Sequence, residues 1–182
     1  MRVMGLDTST RTGVAIVNDG YKILLGEQVT FPKLRGWERA SAIIARIMEL
    51  HAEYKPDLVV IENYGFANAN SLVTLVEIGT IIRYFLWQES IPYIEVPPNS
   101  LKKFVTGKGS GKKEEVMMYV LKRWDYTSPT NDIADAVGLG MFGLGCLGLD
   151  FGAKSKEAVT EVMKTQGQVV ESVVQAAIKC KN

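Results

Sequence analysis

The chain has 182 residues, 47% of them hydrophobic and 23% charged, with a formal net charge of +1. That length suits one domain whose core needs neither disulfides nor a structural metal, and the near-zero charge leaves any nucleic-acid footprint to a local patch. A single histidine, His51, argues against a zinc site or a His-based triad.

Cys146 and Cys180 are far apart and form no Cys-x-x-Cys pair, which fits reduced thiols. The first residues lack the apolar core of a secretion signal. The longest greasy region, Ala136 to Leu149, is interrupted by five glycines and is too short to span a bilayer. The expectation is a soluble, cytoplasmic protein with no membrane partner.

Arg2–Asp7 reads as a first strand, a short apolar run ending on one carboxylate and followed by Thr8-Ser9-Thr10. Open α/β sheets hold ligands at such strand ends. A buried Asp7 must be paired, hydrogen-bonded or cation-bound; the plainer reading is an acidic turn residue. Gly13–Val17 and Tyr21–Thr30 read as the next strands, with Asn18-Asp19-Gly20 supplying turn chemistry that tolerates positive φ. The spacing of Ala40, Ile43, Ile44, Ile47, Met48 and Leu50 predicts a helix from Gly36-Trp37 onward, with His51 at its boundary, and Pro56-Asp57 breaks it.

Leu58–Ile61 is a continuous apolar run typical of a strand covered on both faces, and it ends at Glu62. Asn70–Gln88 predicts a long helix that is apolar around much of its circumference. It is either deeply buried or has a second partner, a dimer interface being one candidate. Ile91–Val96 reads as a fifth strand, stopped by Pro97-Pro98.

Residues 101–113 then carry Lys102, Lys103, Lys108, Lys112 and Lys113 with Gly107, Gly109 and Gly111, and no acid. A solvated charged loop is the plain reading; backbone N–H groups together with ammonium groups also suit phosphates. The spacing is not that of a Walker A loop. After a helix over Glu114–Trp124, Thr130 or Asn131 can cap a helix that opens Asp132-Ile-Ala-Asp135. These two acids share one face near the positive end of the helix dipole. Gly138, Gly140, Gly143, Gly145 and Gly148 are poor helix formers, read here as close helix-to-sheet packing. Lys154–Lys181 is a final amphipathic segment that Gly167 can split.

Asp7, Glu62, Asp132 and Asp135 are four carboxylates without compensating bases. Gathered together they raise one another's pKa, and a divalent cation turns that repulsion into coordination. Oxygen ligands with neither His nor Cys favour Mg²⁺ or Mn²⁺. Two such ions about 4 Å apart suit phosphodiester hydrolysis.

The stretches Met4-Gly-Leu-Asp7, Val60-Ile-Glu62, the lysine–glycine segment from Leu101 to Lys113 and Asp132-Ile-Ala-Asp135-Ala resemble, in order and spacing, the RuvC-type Holliday-junction resolvases of the RNase H-like superfamily. The resemblance covers most of residues 1–145. It implies an α/β fold with a mixed five-stranded sheet, three antiparallel strands then parallel ones, flanked by helices. It implies a homodimer with two active sites and Mg²⁺-dependent nicking of four-way and other branched DNA. Carried over by position, Asp7, Glu62, Asp132 and Asp135 look like metal-binding acids, Lys102 and Lys113 like the DNA-contacting or catalytic lysines, and helix 70–88 like the dimer helix. The family's aromatic, three residues after the second acid, is replaced by Gly65, with Tyr64 and Phe66 on either side. Residues 1–150 are expected to form the nuclease domain and 151–182 a helical extension without a counterpart in the family. Such a short variant is of a kind a phage would encode, for work in the host cytoplasm. The rivals are an actin-like ATP-binding domain, which also opens with a strand into Asp-Thr-Ser/Thr, and an RNA-processing nuclease of the YqgF type.

Overall fold

The computed structural model describes residues 1–64, 69–110 and 113–165, with Ser172 and Gln175. Strands β1 (Arg2–Asp7), β2 (Arg11–Asn18) and β3 (Ile23–Thr30) precede helix α1 (Gly36–Tyr54). Strand β4 (Leu58–Glu62), helix α2 (Ala69–Gln88) and strand β5 (Tyr93–Val96) follow. Helices α3 (Pro98–Thr106), α4 (Lys113–Trp124), α5 (Asn131–Cys146) and α6 (Ala153–Thr165) complete the described chain.

The five strands form one sheet in the order β3-β2-β1-β4-β5. β1–β2 and β2–β3 are antiparallel, whereas β1–β4 and β4–β5 are parallel. This is the mixed sheet the sequence predicts. Both faces are covered, which explains the unbroken apolar run of β4. Val3, Ala15, Val17, Leu58 and Val60 point into a core shared with α3, α4, α5 and α6. Met4, Leu6, Val14, Ile16, Val59 and Ile61 point into a second core with α1 and α2.

Three strand starts differ from expectation, β2 beginning at Arg11 rather than Gly13 because Arg11 and Thr12 already pair with Thr30 and Val29 of β3. β3 begins at Ile23 rather than Tyr21 because the turn is longer: the Asn18 side-chain oxygen accepts from the Gly20 and Lys22 amides, and the left-handed residue is Tyr21 (φ 58°), not Gly20. β5 begins at Tyr93 because Ser90 (φ 54°) closes α2 in the left-handed region and the Ile91 amide is used by the Leu86 carbonyl.

The glycines of α5 sit where the helix meets the sheet and its neighbours, as their spacing predicts. A Cβ on Gly143 would lie 2.6 Å from both Val3 and Val60, and one on Gly138 would lie 2.9 Å from Val105. The approach is mutual, since a Cβ on Gly5 of β1 would overlap the Ala136 carbonyl. α6 is part of this core: Ala158, Val159 and Val162 are buried in it. So the chain beyond residue 150 contributes packing as well as length. The part of the expected amphipathic segment beyond Thr165, with Cys180, lies outside the described residues apart from Ser172 and Gln175.

No helix is long and apolar enough to cross a membrane among the described residues. α2 buries one face through Ile78, Ile82 and Leu86, while Val73, Tyr84 and Trp87 are 55–70% exposed. Deep burial therefore does not account for its apolar circumference.

Candidate active site at the ends of the central strands

β1 and β4 run parallel in a register that pairs Leu6 with Ile61. One step further along both strands stand Asp7 and Glu62. Side chains alternate along a strand, so Asp7 shares the face of Val3 and Gly5, and Glu62 that of Leu58 and Val60. Both acids thus emerge on the α5 side of the sheet.

α5 brings its acids to the same place. Its first turn is fixed by Thr130, whose hydroxyl accepts from the Ile133 amide at 3.2 Å. Asp7 pairs with Gly13, and Gly13 pairs with Gln28 across the sheet. The missing side chain at Gly13 admits the backbone of Asp132, whose carbonyl a Cβ there would overlap. The Gln28 amide nitrogen then donates to the Asp132 carboxylate. Asp135 lies one turn on, half-buried, just before Ala136 reaches Gly5. Asp7, Glu62 and the α5 acids therefore share one face at one end of the sheet.

Their side chains are not drawn into one coordination sphere. Among the described residues, no group of three or more His, Cys, Asp or Glu is arranged to hold a metal ion. The donor chemistry nevertheless fits a hard divalent cation: oxygen ligands only, with the sole histidine on α1 away from the strand ends. Asn131, next to Asp132, adds a buried side-chain oxygen without a hydrogen-bond partner, and such an acceptor is costly to leave unsatisfied.

The hydroxyls after Asp7 have local work. Thr12 donates to the Ser9 carbonyl at 2.7 Å, and the Ser9 hydroxyl accepts from the Arg11 amide. They close the β1–β2 turn.

The structure adds residues that sequence reasoning missed. Arg83 of α2 donates to the Glu62 carbonyl at 3.1 Å and to the Glu95 carboxylate at 2.9 Å. It also donates to the Tyr64 hydroxyl and covers the Tyr64 ring at 4.5 Å. One guanidinium thus fixes the backbone of Glu62 and the aromatic beside it, and Thr80 takes the same hydroxyl at 3.0 Å. The only signal for Arg83 was a lone cation in an apolar helix. Gln28 had one too: a polar residue two places from Gly26, hence on the α5 face of β3.

The lysines separate. Gly109 approaches the Asn99 carbonyl at the start of α3, so the loop after α3 folds back toward the end where β5 leaves the sheet. Lys108 is exposed on it, and Lys102 is half-buried on α3. Lys103 points elsewhere, pairing with Glu157 at 3.1 Å and Glu161 at 3.2 Å on α6. Lys112, Phe66 and the Lys113 side chain lie outside the described residues. Arg123 of α4 braces the base of this region, donating to the Phe104, Val105 and Phe151 carbonyls and to Ser155. Burial pushes its pKa down.

Residues 3–142 match the profile of the family described as crossover junction endodeoxyribonuclease RuvC. The RuvC of Parasynechococcus marenigrum is 27% identical over 150 residues, covering 79% of this chain and 97% of that protein. The RuvC of Prochlorococcus marinus NATL1A is 28% identical over 151 residues, with 79% and 98% covered. Among solved structures, Thermus thermophilus RuvC in complex with Holliday junction substrate superposes with a TM-score of 0.68 at 27% identity, covering 78% of this chain and 91% of that one. The fowlpox virus resolvase, at 19% identity and a TM-score of 0.52, shares the fold. Neither the actin-like nor the RNA-processing alternative gains support from these matches. With more than three quarters of its length inside the family profile, the chain belongs to the RuvC family of crossover junction endodeoxyribonucleases.

Proposed function

We propose that this chain is a divalent-metal-dependent, structure-selective endonuclease that resolves four-way DNA junctions, and other branched DNA, by paired phosphodiester hydrolysis. The observation that carries this reading is the convergence of Asp7 and Glu62 at adjacent strand ends with Asp132 laid over Gly13 on the same face.

Asp7, Glu62, Asp132 and Asp135 would hold Mg²⁺ or Mn²⁺, two ions per site, by their carboxylate oxygens. When bound, the pair supplies an activated water and a counter-charge for the leaving oxygen. The chain's own residues do the rest. Gln28 orients the Asp132 carboxylate, and Arg83 holds the Glu62 backbone. Lys102, Lys108, Lys112 and Lys113 neutralise phosphates along the strand, which keeps the scissile bond in place for in-line attack. Tyr64 and Phe66 supply aromatic faces for bases at the junction centre.

A second copy of the chain gives two sites for two symmetric nicks. The exposed Val73, Tyr84 and Trp87 on α2 offer the apolar face for that homodimer. The working place is taken to be the cytoplasm, or the host's cytoplasm for a phage-encoded chain.

The test is cutting of labelled four-way junction, flap, duplex and RNA substrates with and without Mg²⁺. Asp7→Asn is expected to keep junction binding and lose Mg²⁺-dependent cutting by at least a hundredfold. Undiminished cutting by that variant removes the site; preference for RNA over junction removes the substrate.

A further inference from the structure

Asp7 and Glu62 lie mid-sheet, on β1 and β4, and the lysine loop approaches from the β5 side. The β3 side of the same end carries a second basic segment. β3 ends at Thr30, paired with Arg11, two rungs past the Gly13–Gln28 pair. The chain then runs Phe31-Pro-Lys-Leu-Arg-Gly-Trp37 into α1. Two strand spacings across and two residues along place Thr30 about 12 Å from Asp7, a distance of a few nucleotides along a strand.

This segment is built rather than loose. The Arg39 guanidinium donates twice to the Leu34 carbonyl, at 2.9 and 2.6 Å, and the Leu34 amide closes a turn on Phe31. Gly36 takes a left-handed φ of 47°, with open space where a side chain would stand. The outcome is that Lys33 and Arg35 are exposed and Trp37 is 75% exposed. None of the described ion pairs uses Arg11, Lys33 or Arg35. Trp37 and Arg35 edge a groove of about 840 Å³ whose opposite wall is α2 at Val73 and Val76. Arg39 and Glu77 also line the groove, and Glu38 is the acid of the first turn of α1.

We propose that Arg11, Lys33, Arg35 and Trp37 form a second DNA contact, on the side of the acids opposite the lysine loop. Phosphates sit on the three cations, and one unpaired base stacks on the indole. A largely exposed indole beside cations outside the described ion pairs, at the nuclease end of a sheet, suits a single strand, because stacking is tolerant of sequence and the charges track the backbone. The groove lies on the α1 face of the sheet and the acids on the α5 face, so a strand leaving the scissile bond reaches this contact by passing over the end of the sheet. This rests on the nuclease reading above and extends it to the strand's path.

The test measures salt-dependent binding of the full chain to a four-way junction and to a plain single strand, without divalent metal. Lys33→Ala/Arg35→Ala is expected to lower the salt slope by about 1.8 on the junction and about 1.4 on the single strand. Trp37→Ala is expected to weaken single-strand binding about tenfold, with Trp37→Phe restoring most of it. An unchanged slope in the double variant overturns the contact. So does a Trp37→Ala chain that sediments at half the mass of the parent, because the indole is then a subunit contact. A parent chain with no junction preference sinks the junction reading alone, and the single-strand slopes still decide the second contact.

Discussion

Gln28 of β3 donates to the carboxylate of Asp132 of α5 across a rung of the sheet whose middle residue, Gly13, has no side chain. A strand residue therefore orients an acid that enters from a helix. Ligand-orienting hydrogen bonds of this kind are worth about 10–100-fold in metal affinity or activity. Gln28→Ala should raise the Mg²⁺ concentration for half-maximal junction cutting about tenfold while leaving metal-free junction binding intact. A Mg²⁺ titration checks this, and an unmoved midpoint refutes the role.

Gly13 sets how close α5 can come. A Cβ there meets backbone atoms of Asp132 and Ile133, which cannot swing aside as a side chain can. Gly13→Ala should cost about 2 kcal/mol by overpacking, seen as a melting point lowered by about 4–8 °C. Cutting should fall more than stability alone explains, because Asp132 moves with its backbone. Gly20→Ala, whose Cβ would only touch the Asn18 side chain at 3.4 Å, is the control and should melt like the parent.

Lys103 is held by two glutamates of α6, beyond the part of the chain that matches the family. Those carboxylates, as its hydrogen-bond partners, push its pKa up and neutralise its charge toward DNA. Glu157→Gln/Glu161→Gln should tighten junction binding severalfold at low salt and steepen the salt slope by about 0.9, the signature of one added phosphate contact. Adding Lys103→Ala should reverse both changes. Stability should barely shift, as expected for solvent-screened pairs. Binding curves that superimpose across the three chains would show that Lys103 never reaches DNA.

His51 is half-buried on α1, and desolvation pushes its pKa below the usual imidazole value. The folded chain therefore holds this proton less tightly than the unfolded chain does. Its contribution is complete above about pH 6.5 and is lost as pH falls from there through the lowered folded value. His51→Gln should flatten the pH dependence of the melting point over that window. An identical pH profile in the variant would assign the acid sensitivity to other groups.

How far the sequence reveals this design depends on the element. β1 and β4 are legible because both are apolar runs ending on an acid, and burial on two faces leaves no other reading for Leu58–Ile61. The glycines of α5 are legible as contact points because so many in one helix oppose its propensity. Arg83, Gln28 and the Lys103 pairings are not legible. Each depends on which residues 12 to 104 positions away arrive opposite them, and no local pattern encodes that. Tyr64 is legible as an aromatic beside Glu62, but the same limit hides what fixes it, the tie of its hydroxyl to Thr80 and the Arg83 guanidinium over its ring.

The bare surfaces where α5 meets β1 and β2 have an evolutionary corollary. Main chain meets main chain at Gly5, Gly13 and Ala136, so the depth at which the acids come together owes little to the bulk of neighbouring apolar residues. Substitutions among Leu, Ile, Val and Phe elsewhere in that core can accumulate without shifting the acids. Relatives sharing barely a quarter of their residues can then keep one alignment of their carboxylates, provided those few side-chain-free positions persist.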